Sequence, residues 1–238
     1  AGPGSVKRRF KTAEVTEAAG GFSIALDGKP MRTPAGHAFV VPTRTLAEAV
    51  AAEWQAQGDK VDPRTMPMTQ FVATSLDRVT VERERIVRDL AAFAETDLLC
   101  HRADGAERLA QRQAEQWQPL LDWAADAPGA RFLLASGVMP VEQPAETLAA
   151  IRTRVERLDD LTLVALQTLA GASGSIVLAF AVVEGRLSAD EAHRLSRLDE
   201  DYQIERWGED YEAADRRVAV HADMREAERL LSLVRVRH

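Results

Sequence analysis

The sequence predicts an α+β protein, a small N-terminal antiparallel β domain followed by a larger all-helical C-terminal domain. Three observations predict it. Apolar and small residues alternate before Pro42, whereas after it apolar residues recur at helical spacing. Asp27-Gly28, a strong short hairpin signal, sits between two short strand-like runs. From residue 145 onward every segment reads as helix. The domain boundaries follow as residues 6–42 for the β domain and 43–238 for the helical domain, with 43–80 as linker helix and connector.

The elements follow in order. A first strand is expected over residues 8–15 and a second over 22–26, turned by Asp27-Gly28 into a third over 29–33. Pro34-Ala-Gly-His37 makes another turn before a strand over 38–41. Leu46, Val50 and Trp54 then mark the apolar stripe of a helix opened by a Thr45/Glu48 capping box and ended by Gly58. A Pro-rich connector over 61–67 leads to an apolar segment around Phe71 and Leu76, then a helix over 81–93. The next helix, 106–125, carries Leu109, Trp117, Leu120, Leu121 and Trp123, with Pro119 expected at a kink or boundary. Residues 131–138 are short and apolar and read as strand or loop. Helices are expected over 145–158, 161–170, 175–184, 188–206 and 209–233, with Ser188 and Glu191 forming a second capping box.

Composition narrows the function classes. Of 238 residues, 46% are hydrophobic and 28% charged, which is ordinary for a globular protein. A net charge of -7 argues against general affinity for nucleic acid or anionic membrane. Residues 161–183 carry no formal charge and are long enough to span a bilayer, but Gly171-Ala-Ser-Gly174-Ser breaks them, so a buried helical hairpin is expected and no stable membrane insertion. The single cysteine, Cys100, excludes an internal disulfide and suits a reducing compartment, so a cytoplasmic location is expected.

No catalytic or metal constellation emerges. The histidines, His37, His101, His193, His221 and His238, stand singly, so no metal and no cofactor is expected. Cys100 and His101 are adjacent and would face opposite sides of a strand, which favours an inert buried thiol. Gly171-Ala-Ser-Gly174-Ser lacks the lysine of a nucleotide loop and reads as close helix packing. Trp54, on an apolar helical stripe, reads as core; an arginine there would bury an unpaired charge at a cost of about 3–5 kcal/mol.

The most informative stretch is residues 199–212. It gathers Asp199, Glu200, Asp201, Glu205, Glu209, Asp210 and Glu212 around Tyr202, Trp207 and Tyr211, with Arg206 its one base. The whole chain has two tyrosines and four tryptophans, so three of those six residues lie in this segment. An acidic helix is ordinarily a solvated face. Rigid aromatics among charges suit a macromolecular contact, although Trp207 could equally pack the last two helices together.

Several short motifs occur in a familiar order: Gly20-Gly21-Phe22, Leu26-Asp27-Gly28-Lys29-Pro30, Arg32-Thr33-Pro34, Glu53-Trp54 with Gln57, Met66-Pro-Met-Thr69, Thr74-Ser75-Leu76-Asp77, Glu95-Thr96-Asp97-Leu98-Leu99-Cys100, Tyr202-Gln203 and Trp207-Gly208. In this the chain resembles, over nearly its whole length, the assembly chaperones that handle the alpha subunit of F-type ATP synthase. The resemblance implies an α+β protein that is not an enzyme. It would hold unassembled alpha subunit, shield its subunit-pairing surface and hand it to the beta subunit. It also implies that Asp199, Glu200, Asp201, Tyr202, Gln203 and Trp207 contact the partner; the sequence adds Glu209 to that set and reads Trp54 on its apolar stripe, Gly28 in the hairpin and Gly208 at the break after Trp207 as structural. The competing reading is a small-molecule enzyme with its site in a cleft between the β and helical domains; a constitutive subunit of a complex is a third.

Overall fold

The computed structural model describes residues 6–137, 139–208 and 211–235. It divides into two compact units, residues 1–83 with 229–238, and residues 84–228. The change of periodicity at Pro42 and this division therefore fall at different places. The α+β class stands: small antiparallel sheets come first and a mostly helical region follows.

In the first unit β1 (Val6–Lys7) pairs antiparallel with β6 (Lys60–Val61). A second sheet is built on β2 (Ala13–Ala18) and β3 (Gly21–Leu26), joined in register from Ala13 opposite Leu26 to Ala18 opposite Gly21. Both β4 (Lys29–Pro30) and β5 (Val40–Val41) pair with β3. The first long strand thus starts later than residue 8. The reason is local: the backbone N–H groups of Lys11 and Thr12 donate to the Asp27 carboxylate, each at 2.9 Å, instead of to a strand. Asp27 and Gly28 take φ of +47° and +80°, the left-handed pair that a tight hairpin requires and that Asp and Gly tolerate best.

The helix α1 (Arg44–Gln55) lays Leu46 and Val50, both fully buried, against this sheet. Its N-cap is Thr43, whose hydroxyl accepts from Leu46 N; Thr45 instead donates its hydroxyl to the Leu233 carbonyl at 2.9 Å. The expected N-cap is thus displaced by two residues, and the Leu233 carbonyl receives the hydroxyls of both Thr43 and Thr45. After a 3-10 turn at Pro63–Thr65 comes α2 (Pro67–Thr74), then a π turn at Ser75–Val79 and α3 (Thr80–Ala92), which is kinked at Glu82.

The second unit contains short 3-10 turns at Phe93–Thr96 and Leu98–Cys100. One parallel pair, β7 (His101–Arg102) with β8 (Ala135–Ser136), follows, so this region is not wholly helical. Of the ambiguous stretch 131–138, Ala135–Ser136 forms strand, and Val138 lies outside the described residues. The helix α4 (Glu107–Asp126) runs through Pro119 without ending. Proline forfeits one helical hydrogen bond, but Trp117, Leu120, Leu121 and Ala124 bury on one face and hold the helix together.

After α5 (Ala145–Glu156), α6 (Asp160–Ser173) and α7 (Ile176–Val183) form the buried hairpin at the centre of this unit. Every residue of α7 is buried, and Gly174 ends α6 at φ +69°. No helix among the described residues is long and apolar enough to cross a membrane. Residues 188–206 do not make one helix: α8 (Ala189–Ser196), opened by the Ser188/Glu191 capping box, stops before α9 (Leu198–Trp207) begins. Last comes α10 (Tyr211–Val234).

Candidate partner-binding site

The break between α8 and α9 changes the meaning of the acidic cluster. Asp199, Glu200 and Asp201 occupy the first turn of α9, where the positive end of the helix dipole stabilises carboxylates. No side-chain cap serves this N-terminus, which leaves the first-turn acids to complement it. Read as the interior of a longer helix, the cluster is explained only as a solvated face. As a helix start it has a structural explanation.

Arginines of the same chain meet several of these acids. Arg197, itself half-buried, forms an ion pair with Glu200, and its Nε lies 3.7 Å from Asp201. Asp199 accepts from the Gln113 side chain at 2.7 Å, and Gln113 is buried in α4. Arg112, also on α4, forks onto Glu205 at 2.9 and 3.0 Å. That contact pulls the Glu205 carboxyl below its ordinary range, the Arg112 hydrogen bond being the main cause. Tyr202 lies under both Arg112 and Arg206, whose guanidinium centres are 5.8 and 5.3 Å from its ring. Its hydroxyl accepts from Arg206 at 3.2 Å. Gln203 is exposed.

The aromatics at the end of α9 and the start of α10 are different. Trp207 is 85% exposed and Tyr211 91% exposed, and Val218 on α10 is 71% exposed. Trp207 therefore does not pack the last helices together. Gly208 follows it at φ +84°, ψ 172°. Glu209, with Asp210, lies outside the described residues. Of the segment the sequence singles out, only part faces outward.

The motifs nearer the N-terminus turn inward. Glu53, buried on α1, accepts from Met68 N at 2.7 Å, Thr69 N at 2.8 Å and the Thr69 hydroxyl at 2.7 Å, capping α2 from a distance. Burial pushes its pKa up against the pull of those hydrogen bonds. Gln57 gives its amide to Glu53 O and the Thr65 hydroxyl, both at 3.0 Å, and accepts from Asp62 N at 2.7 Å. Asp77 braces the 33–37 turn, receiving the Thr33 hydroxyl at 2.5 Å and Ala35 N at 3.1 Å, with His37 Nδ1 at 2.8 Å.

Trp54 is half-buried rather than core. Its ring meets Phe10 edge-on at 5.6 Å, and its Nε1 is buried with no hydrogen-bond partner among the described residues. Both rings line an open pocket of about 560 Å³ that sequence reasoning did not find. Met31, Phe39 and Met66 complete its apolar wall. Exposed Lys7, Arg9 and Arg32 also line it, and among the described residues no carboxylate does. No periodicity could have revealed it, because its lining comes from five separate stretches of chain.

Other candidates resolve into structure. The Cys100 thiol is buried and pushed up to about 12 by desolvation, so it is no nucleophile at neutral pH. Asp97 is fully buried and accepts from Leu99 N at 3.0 Å and Val177 N at 3.1 Å, capping α7. Of the Gly171–Ser175 stretch, residues 171–173 belong to the last turn of α6, Gly174 ends that helix and Ser175 caps α7. His193 and His221 stack with ring centres 4.2 Å apart, a pairing that their sequence separation hid. Among the described residues no three His, Cys, Asp or Glu side chains gather as metal ligands.

Comparison with known proteins places these features. Residues 7–125, half the chain, match the family model described as ATP12 chaperone protein. The chain belongs to the ATP12 chaperone family. These are non-enzymatic assembly factors of ATP synthase. The crystal structure of Atp12 from Paracoccus denitrificans superposes with a TM-score of 0.94 at 39% identity, covering 97% of this chain and 99% of that one. A putative chaperone from Agrobacterium tumefaciens, Atu1473, gives 0.91 at 42% identity, covering 96% and 86%. Protein atp12, mitochondrial, of Schizosaccharomyces pombe is 26% identical over 86% of this chain and 74% of its own length. The ATP12 model thus spans the inward-facing motifs and stops before α9, while the structural matches extend across nearly the whole chain.

Proposed function

We propose that this ATP12 chaperone binds the unassembled alpha subunit of ATP synthase, covers the surface through which alpha pairs with beta, and releases it when beta arrives. In a bacterium that work belongs to the cytoplasm. The supporting observation is Trp207, 85% exposed at the end of α9, with Tyr211 at the start of α10 91% exposed. A large aromatic held in solvent is unfavourable for an isolated protein and suits a contact that forms later. The proposed contact set is Glu200, Gln203, Trp207 and Glu209, with Asp199, Asp201 and Tyr202 ordering them. Because Arg197 and Arg112 already partner Glu200 and Glu205, a client guanidinium or ammonium would exchange with an internal arginine rather than meet a bare acid. Such exchange keeps the interface modest, as handover requires.

The test is co-purification with alpha subunit expressed alone, followed by addition of beta. Capture followed by release is expected. Alpha subunit that stays soluble yet never associates with the folded chaperone overturns the reading. Glu200→Lys gives up a first-turn acid and its Arg197 pair, so it should cost about 1 kcal/mol of stability while staying folded. It should also lose about tenfold in capture, equivalent to about 1.4 kcal/mol; unchanged capture by the folded variant would remove the acidic helix from the interface.

A further inference from the structure

The pocket in the first unit is not explained by the bracing that surrounds it. Its volume, about 560 Å³, falls in the range of ligand sites, roughly 300–1,000 Å³. Its wall is made of large apolar side chains, Phe10, Met31, Phe39, Trp54 and Met66. Of the neutral polar groups in the lining, Thr33 is engaged with Asp77, Thr69 with Glu53 and the Gln70 amide with the Pro63 carbonyl, which leaves the buried Nε1 of Trp54 as a donor without a partner among the described residues. An occupant's inner part must therefore be largely apolar, because beyond one acceptor set against Trp54 Nε1 a buried polar group would find few hydrogen-bonding side chains to spare.

The exposed part of the lining carries one sign of charge. Lys7 and Arg9 have no carboxylate partner among the described residues, Arg32 donates only to the Gly36 carbonyl at 2.8 Å, and no acid lines the pocket. This stands out in a chain whose net charge is -7. The charge complement is a carboxylate-bearing occupant. Val6 and Lys7 of β1 and Val61 of β6 also line the pocket, and these strands form a two-stranded sheet, so each keeps an outer edge with no strand partner among the described residues. A sheet edge offers backbone donors and acceptors to an extended polypeptide, which an acyl chain could not use.

We propose that this pocket is a second polypeptide contact, taking a large apolar side chain from an extended client segment that carries acidic residues beside it. The apolar side chain enters between Phe10, Trp54 and Met66; the flanking carboxylates meet Lys7, Arg9 and Arg32; the segment's backbone runs along the small sheet. The proposal rests on the chain's being a chaperone of polypeptides and is independent of the α9 surface.

The experiment uses the full chain and a fluorescein-labelled, amidated peptide, Glu-Asp-Leu-Phe-Ile-Asp-Glu, read by anisotropy. Two counterparts replace its acids by lysine or its apolar residues by serine, and unlabelled decanoate serves as competitor. The acidic apolar peptide is expected to bind at least tenfold more tightly than either counterpart. Arg9→Glu and the pocket-filling Ala73→Leu should each weaken it at least tenfold while circular dichroism and melting stay unchanged. Should Ala73→Leu misfold, Arg9→Glu carries the test, since Arg9 is exposed. Equal binding of the lysine peptide, or indifference to Arg9→Glu, overturns the proposal. Binding of decanoate without binding of the peptide also overturns it, in favour of a small amphiphile. Glu200→Lys and Trp207→Ser should bind the peptide normally, so loss of alpha-subunit capture in those variants with peptide binding intact would separate failure of the α9 reading from failure of this one.

Discussion

The carboxylates at positions 53, 77 and 97 and those of α9 differ in what holds them. Glu53 and Asp97 are buried and receive backbone N–H groups, and Asp77 receives a hydroxyl and a backbone N–H at a turn. The acids of α9 lie at or near the surface and meet arginine or glutamine side chains instead. Backbone partners cannot swing away, so the first group fixes the fold. Side-chain partners can be exchanged, so the second group can be offered to another molecule. An acidic residue in a recognisable motif is therefore no guide to function until its partner is known.

That contrast can be broken by mutation, most strongly at Asp97. Asp97→Ala should leave Leu99 N and Val177 N unsatisfied in the interior at about 1–3 kcal/mol each, for a loss of about 3 kcal/mol in urea unfolding. A loss below 1 kcal/mol would mean that the α7 N-terminus finds other acceptors. Its titration gives a second handle. Desolvation raises the Asp97 pKa despite the Ser175 and backbone hydrogen bonds, so the folded protein holds this proton more tightly than the unfolded chain. The group therefore favours folding most below the unfolded carboxylate pKa of about 3.9, and that advantage declines as pH rises through the folded value. Asp97→Asn cannot titrate, so the stability of wild type relative to Asp97→Asn should fall between pH 4 and pH 7. A difference that grows with pH would reverse the assignment.

Glu53 should show a smaller effect of the same kind. In Glu53→Gln one carboxylate oxygen becomes an amide donor, so either Met68 N or Thr69 N loses its acceptor while the other keeps one. The expected cost is about 1–2 kcal/mol, read from the urea midpoint at constant slope. A neutral substitution would show that Glu53 is held in place rather than holding α2.

These braces explain what sequence reasoning could and could not see. The Asp27-Gly28 hairpin and the Ser188/Glu191 box were legible because their partners lie within a few residues. The break of the apolar run at Gly174 was legible because glycine interrupts a periodicity. Thr43 displacing Thr45 as N-cap was not, since Leu233 lies far along the chain. The α8–α9 break was hidden because Ser196, Arg197 and Leu198 are all compatible with helix, and only the local turn at Arg197 (φ -108°, ψ 7°) interrupts it. The pocket lay beyond reach for the same reason as the braces: it is assembled from separate stretches, each unremarkable alone.

The smallest expected effect on stability is at Trp207, and it sharpens the comparison most. With 85% of its surface in solvent, Trp207 has little burial to lose, so Trp207→Ser should change stability by no more than about 0.5 kcal/mol. If the side chain anchors a client, the same change should weaken alpha-subunit capture about tenfold or more, the cost of removing an interface aromatic. Few positions separate the two quantities so cleanly, because a buried tryptophan such as Trp117, which donates to the Leu195 carbonyl at 2.9 Å, would lose both together. Stable protein with weakened capture would place Trp207 among the residues offered to another molecule. Stable protein with unchanged capture would leave its exposure without a role in this contact and shift attention to Tyr211 and Val218 on α10, whose own serine variants would then be measured in the same way.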